Sequence, residues 1–256
     1  MLRRAVVTYL RPLLRSYTHT VRHGLAKGLT RKGGFGFIPF VRLTAEEKFL
    51  LSLDFEGQTI YDVGAWEGVI TLFFSRAVGT DGRIVAFEPH PETYQRVLEN
   101  LRLNAADNVE LRQMAVGATG GTAILISDHA VSGEATARTA KRQRRRGRGE
   151  RRFEVEMDSL DNHIRTHRLP KPDFVKIDVE GLELEVVRGM EQTIQQHRPR
   201  LFVEIHDFML PSDTRIARQL VDLLLTAGYS VYHVEAGAML SASSLQIPER
   251  GHLYCS

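Results

Sequence analysis

Short apolar runs alternate with segments of helical periodicity along most of this chain. Residues 60–63 form the first run, and the glycines at 64 and 68 lead it into an apolar helical stretch over 69–78. That pattern predicts a buried strand, a tight turn and a helix. Residues 83–87 predict the second strand, and Pro91 opens a helix whose buried stripe is Tyr94, Val97, Leu98 and Leu101. Residues 109–116 predict a third strand, and 122–127 and 153–157 a pair of strands flanking an insertion. A short helix starts at 158–161, followed by a buried strand over 174–177 and a helix marked by Leu182, Val186 and Met190. The next strand covers 200–206, then a helix over 212–227 and strands at 229–234 and 252–255. Upstream, Thr44 and Glu47 have the spacing of a capping box for a helix running to Leu53. Strands alternating with helices in this order predict an α/β fold with a doubly wound, mostly parallel, seven-stranded sheet. Right-handed crossovers then set the strand carrying Asp62 beside the strand carrying Asp178.

Composition supports a full core, since 43% of the 256 residues are apolar. The single cysteine, Cys255, excludes an intrachain disulfide and a thiolate metal cluster, and points to a reducing, cytoplasmic setting. No apolar run approaches the ~20 residues needed to span a bilayer. The net charge of +3 conceals an asymmetry. Residues 1–43 carry nine Lys or Arg and no acid, and residues 138–152 carry nine against Glu150, which leaves the rest of the chain at −14. An acidic domain over 44–256 therefore carries a basic extension over 1–43 and a basic insertion. The extension has the spacing of an amphipathic helix over 1–30, and residues 128–152, nearly devoid of apolar side chains, read as a flexible Arg-rich loop. Both segments suit anionic partners, including a membrane surface contacted peripherally. Nucleic acid fits less well, because no aromatic residue interrupts the arginines to stack on bases.

The candidate chemistry collects at the predicted carboxyl ends of strands, where ligands bind in open α/β sheets. Asp62 lies two residues before Gly64, and Glu88 follows the second strand, where a carboxylate accepts from both hydroxyls of a ribose. The glycine order is neither the dinucleotide fingerprint nor a phosphate loop. Asp178 and Glu180 alternate in phase after one strand, as do Glu204 and His206 at the end of the next. A set of carboxylates with an imidazole suits proton abstraction, with His206 as base, Glu204 orienting it, and Asp178 or Glu180 as the second choice. A hard cation held by the same four residues is the alternative use of that set.

The chain carries, in order, Asp-Val-Gly-Ala from 62, Phe-Glu-Pro-His-Pro from 87, Met-Ala-Val-Gly from 114, Leu-Asp from 160, Lys-Ile-Asp-Val-Glu-Gly-Leu-Glu from 176 and Val-Glu-Ile-His from 203. Together these motifs resemble the FkbM family of S-adenosylmethionine-dependent methyltransferases. The resemblance implies a Rossmann-like class I methyltransferase fold and O-methylation of a sugar, glycan or small hydroxylated metabolite. It also implies S-adenosyl-L-methionine bound by Asp62, Gly64, Ala65, Trp66, Gly68, Glu88, Met114, Ala115 and Asp178. Asp62 and Gly64 would lie near its methionine part, Glu88 at its ribose and Asp178 at the methyl-transfer site. One departure stands out: Trp66 occupies a position where the family usually has Asn, and an indole has a donor but no acceptor. That departure favours the alternative function, a non-catalytic domain binding anionic partners through its basic segments.

Overall fold

A computed structural model describes residues 16–34, 42–127, 135–138, 151–205, 213–244 and 250–256. Its centre is a sheet of eight strands among the described residues. In chain order these are β3 (Thr59–Val63), β4 (Arg83–Phe87), β5 (Val109–Arg112), β10 (Phe174–Ile177), β11 (Arg200–Ile205), β12 (Val231–His233), β13 (Ala238–Leu240) and β14 (Gly251–Cys255). The spatial order is β13-β12-β14-β11-β10-β3-β4-β5. The five strands from β11 to β5 run parallel, and β14 enters antiparallel between β11 and β12. The sheet has one strand more than the expected seven. The extra one, β13, is a three-residue edge strand in a hairpin with β12, too short to leave a periodic signal.

Period-two alternation divides the sheet's side chains between two cores. Tyr61, Val63, Val85, Phe87, Val175, Ile177, Leu201 and Val203 face one side, against Leu160 of α4 (Leu160–His167), Val186 of α5 (Glu183–Arg188), Ile194 of α6 (Glu191–His197) and Leu220 and Leu224 of α7 (Asp213–Thr226). Ile60, Ile84, Ala86, Phe174 and Phe202 face the other, against Leu50 of α1 (Ala45–Leu51), Leu72 and Phe74 of α2 (Val69–Ala77) and Val97 and Leu101 of α3 (Pro91–Leu103). With both faces covered, the central strands read as near-continuous apolar runs. The capping box of α1 forms as expected, with Thr44 and Glu47 each bonding the other's backbone N–H.

Three expectations change. The run over 109–116 splits: β5 stays in the main sheet, whereas β6 (Ala115–Val116) joins β7 (Gly121–Ser127), β8 (Ala135–Arg138) and β9 (Arg151–Asp158) in a separate four-stranded sheet. The chain breaks at Gln113 and Met114 to change sheets. The insertion read as a loop over 128–152 contributes β8 and the start of β9, which both pair with β7; residues 128–134 and 139–150 lie outside the described residues. The expected helix over 1–30 is, where described, a hairpin of β1 (Thr18–Thr20) and β2 (Thr30–Lys32). The β-branched threonines on both strands favour extended backbone, and the chain reverses through Val21 and Leu29, whose backbone groups bond across the turn. The apolar Val21, Leu25 and Ala26 are buried by that turn and not along a helical stripe.

Candidate active site

The parallel pairing of β3 with β10 sets Asp62 opposite Lys176 and brings the two strand tips together. Asp178 donates its N–H to the Val63 carbonyl at 3.0 Å. Gly64 then turns away with φ 90°, and a Cβ there would stand 1.8 Å from the Asp178 carbonyl oxygen. Only glycine satisfies both the left-handed backbone and that approach. The loop continues through Trp66, itself left-handed at φ 47°, to Gly68, which precedes α2 without any side-chain cap.

β4 leads directly into Glu88, a residue only 6% exposed. One oxygen accepts from the Trp66 N–H at 2.8 Å and the other from the His90 N–H at 2.8 Å. His90 caps α3, accepting from Thr93 ahead of Pro91 in the first helical position. Burial pushes the Glu88 carboxyl up to about 7, against the two backbone hydrogen bonds and the Lys176 charge, which favour its ionised form. Glu88 is a wall of a cavity of about 260 Å³ at the carboxyl ends of the strands. Gly64, Trp66 and Pro89 flank it, Phe87, Met114, Val116 and Leu125 form an apolar wall, and Asp178, Val179, Glu180 and Leu182 close the side next to β10. The Trp66 indole does not fill this space; it is 38% exposed at the edge.

The turn after β10 is held by its own helix. Glu183 accepts from the N–H groups of Gly181 at 3.0 Å and Val179 at 3.4 Å. Glu180 sits at φ 54°, a conformation costing a non-glycine residue ~1–3 kcal/mol, of the kind that clusters at functional sites.

Beneath the cavity lies a charge group whose Lys176 and Asp62 are buried. The Lys176 ammonium, 4% exposed, donates to the Gly64 carbonyl at 2.7 Å and stands 3.3 Å from Asp62 and 3.4 Å from Asp178. Burial alone would lower its pKa, but Asp62 and Asp178 outweigh it and hold the amine charged. Thr71 donates to the second Asp62 oxygen at 2.6 Å. Asp62, expected near the methionine part of the cofactor, is 0% exposed and turned toward Thr71 and toward the Lys176 ammonium that bonds the Gly64 carbonyl.

A second charged group continues along the same strand ends. Glu204 of β11 lies opposite His252 of β14, and the carboxylates of Glu204 and Glu46 stand 3.7 Å from the His252 ring. Glu235 bonds the other ring nitrogen at 2.6 Å and accepts the His252 N–H at 2.7 Å. Burial would lower the His252 pKa, but Glu204, Glu46 and Glu235 raise it to about 9. Glu204 thus serves His252 here, and His206, which it was expected to orient, lies outside the described residues.

The structure collects Gly64, Trp66, Glu88, Met114, Ala115, Asp178 and Glu180 around one cavity, whose lining does not include Asp62, Ala65 or Gly68. Sequence reasoning missed Lys176 and His252. The first carried a signal, a lone lysine inside an apolar strand. The second carried none, because its three partners, Glu46, Glu204 and Glu235, come from three separate parts of the chain. Of the four residues weighed as a cation site, Asp178 faces Lys176, Glu204 faces His252 and His206 lies outside the described residues; no group of three or more His, Cys, Asp or Glu among the described residues is placed to hold a metal ion. No described helix is long and apolar enough to cross a membrane.

A parallel α/β sheet with an antiparallel strand beside its end, and an acid-lined cavity at its strand tips, defines the Rossmann-like class I methyltransferase fold. The FkbM methyltransferase domain matches residues 62–231, and the chain belongs to that S-adenosylmethionine-dependent family. Among its relatives, a hexuronic acid methyltransferase of Haloferax volcanii is 30% identical over 65% of this chain and 63% of its own. The methyltransferase sdnD of Sordaria araneosa is 30% identical over 52% of this chain and 60% of its own. The chain thus spans about three fifths of the length of these relatives. The crystal structure of an FkbM methyltransferase from Methylobacillus flagellatus superposes with a TM-score of 0.53 at 17% identity, covering 80% of this chain and 45% of that one.

Proposed function

We propose that this chain binds S-adenosyl-L-methionine in the Glu88 cavity and methylates a hydroxyl oxygen of a sugar, glycan or small hydroxylated metabolite. The observation that carries this reading is Glu88 itself: a buried carboxylate, oriented by two backbone N–H groups, set in an otherwise apolar wall. A vicinal diol fits such a group, because two hydroxyls can donate to a carboxylate whose burial is otherwise unfavourable. The wall of Phe87, Met114 and Leu125 suits a flat heterocycle beside it. The 30% identical hexuronic acid methyltransferase supports a sugar as acceptor.

When bound, the cofactor supplies an already activated methyl group. The chain's own contribution is then alignment and the handling of one proton. Gly64 lets the backbone approach closely, and Lys176 fixes that turn by its carbonyl. Asp178 and Glu180 both reach the cavity and are the described candidates for taking the hydroxyl proton; His206 remains the candidate outside the described residues.

Incubation with methyl-labelled cofactor and a panel of uronic acids, neutral glycans and hydroxylated metabolites tests the reading by mass spectrometry. Transfer of label to an acceptor oxygen, reduced by Glu180→Gln without loss of cofactor affinity, is the expected result. Label on nitrogen or carbon would refute the O-methylation assignment.

A further inference from the structure

The hairpin over residues 16–34 lies outside the matched family domain, yet it makes two separate connections to the cofactor loop. In the first, the Arg31 guanidinium pairs with the Glu67 carboxylate, with 11% and 22% of the two side chains exposed. In the second, the Lys32 N–H donates to Asn100 Oδ1 at 2.8 Å, and Asn100 Nδ2 donates to the Glu67 carbonyl at 2.8 Å. Asn100 is fully buried on the inner face of α3, and Asn104, one turn on, bonds both backbone groups of Thr30 at 2.8 and 2.6 Å. Both routes end on Glu67, the residue between Trp66 and Gly68.

That loop needs external support. Gly64, Trp66 and Gly68 all have positive φ, and for Trp66 this is an unfavourable backbone state that persists only when its surroundings over-determine it. The Trp66 N–H is also one of the two donors that orient Glu88. A loop free to leave this conformation would release the Glu88 carboxylate with it.

We propose that the amino-terminal hairpin is a positioning element for the cofactor loop, with Arg31 as the positioning residue acting through Glu67. The proposal rests on the cofactor-binding reading above for its consequence, but the ordering of the loop is independent of it. Arg31 touches neither cavity nor reacting atoms. It raises the fraction of molecules whose loop is already competent to bind.

The test uses Trp66, the chain's one tryptophan, as an intrinsic reporter beside Glu67. Arg31→Met, Glu67→Ala and the double variant are compared with wild type in the full chain, without cofactor, by acrylamide quenching and anisotropy of Trp66. Each single variant should increase quenching roughly twofold, the double no more than either, because both singles remove the same connection. S-adenosylhomocysteine affinity should fall about tenfold in each, as expected if the competent loop drops to about a tenth of its former population. Arg31→Lys, which keeps the charge but not the planar fork, should recover part of the effect. Should Arg31→Met fail to fold, Glu67→Ala decides, since it leaves the hairpin intact. Unchanged Trp66 quenching in Glu67→Ala, or additive effects in the double variant, would overturn the proposal. Failure of wild type to bind S-adenosylhomocysteine would instead contradict the cofactor reading, while the quenching still decides the role of the hairpin.

Discussion

With the cofactor's ribose held by Glu88 as proposed, binding becomes a function of pH with a defined sign. In the free protein its carboxyl is pushed by burial to about 7. A ribose diol donates hydrogen bonds and so favours the ionised form, which lowers the pKa in the complex. Binding then releases a proton at pH values below 7. The ionised fraction is about one in eleven at pH 6 and about ten in eleven at pH 8, so affinity for S-adenosylhomocysteine should rise about tenfold across that interval. The same shift has a stability sign. A carboxyl whose pKa is raised from 4.5 to about 7 favours the folded state below about pH 4.5 and loses that contribution as pH rises to 7. The loss is about 3 kcal/mol at 1.36 kcal/mol per unit. The assay is isothermal titration calorimetry at several pH values in buffers of different ionisation enthalpy, which counts the proton directly, with Glu88→Gln as control. The variant should bind more weakly and with affinity independent of pH. A wild-type affinity flat between pH 6 and 8, or a pH dependence retained in Glu88→Gln, would refute the reasoning.

Three further outcomes follow from the buried groups. Gly64→Ala places a Cβ 1.8 Å from the Asp178 carbonyl oxygen in a left-handed backbone, so thermal denaturation should show a loss of over 2 kcal/mol together with loss of cofactor binding. Lys176→Met strands Asp62 without its cation, and urea unfolding should show a loss of ~3–5 kcal/mol; a near-neutral result would mean that the ion pair is dispensable. His252 is raised from 6.5 to about 9, so its contribution is complete below about pH 6.5 and lost as pH rises through 9, about 3 kcal/mol in all. His252→Gln should flatten the stability profile in that window, and a profile matching wild type would clear His252 of the effect.

Much of this molecule is legible one strand at a time. The alternation of Ile60, Tyr61 and Val63, and of Ile84, Val85, Ala86 and Phe87, predicts strands buried on both faces, because each face meets its own helical layer. The glycine at 64 and the acid at 88 mark the cavity that both come to line, and the close turn is what demands the glycine. What is hidden depends on distant pairing. Asp62 reads as a ligand-binding acid until Lys176 is seen opposite it, and only the register of β3 with β10 puts it there. His252 gains its partners because β14 inserts antiparallel beside β11, which no local pattern encodes. The break at Gln113 and Met114 is silent in the sequence, since the residues on both sides of it are extended and no turn residue stands between them. The amino-terminal hairpin is obscured by Tyr17 and Val21, whose four-residue spacing also suits a helix, although the threonines at 18, 20 and 30 point toward strands.

The central claim is that the cavity walled by Glu88 holds a sulfonium nucleoside. A calorimetric titration of the wild-type chain with S-adenosylhomocysteine, repeated on Glu88→Ala, tests it most directly. The account predicts saturable binding at a single site in the wild type and none in the variant at the same concentration. Equal binding by both proteins, or no heat from the wild type at high concentration, would contradict it.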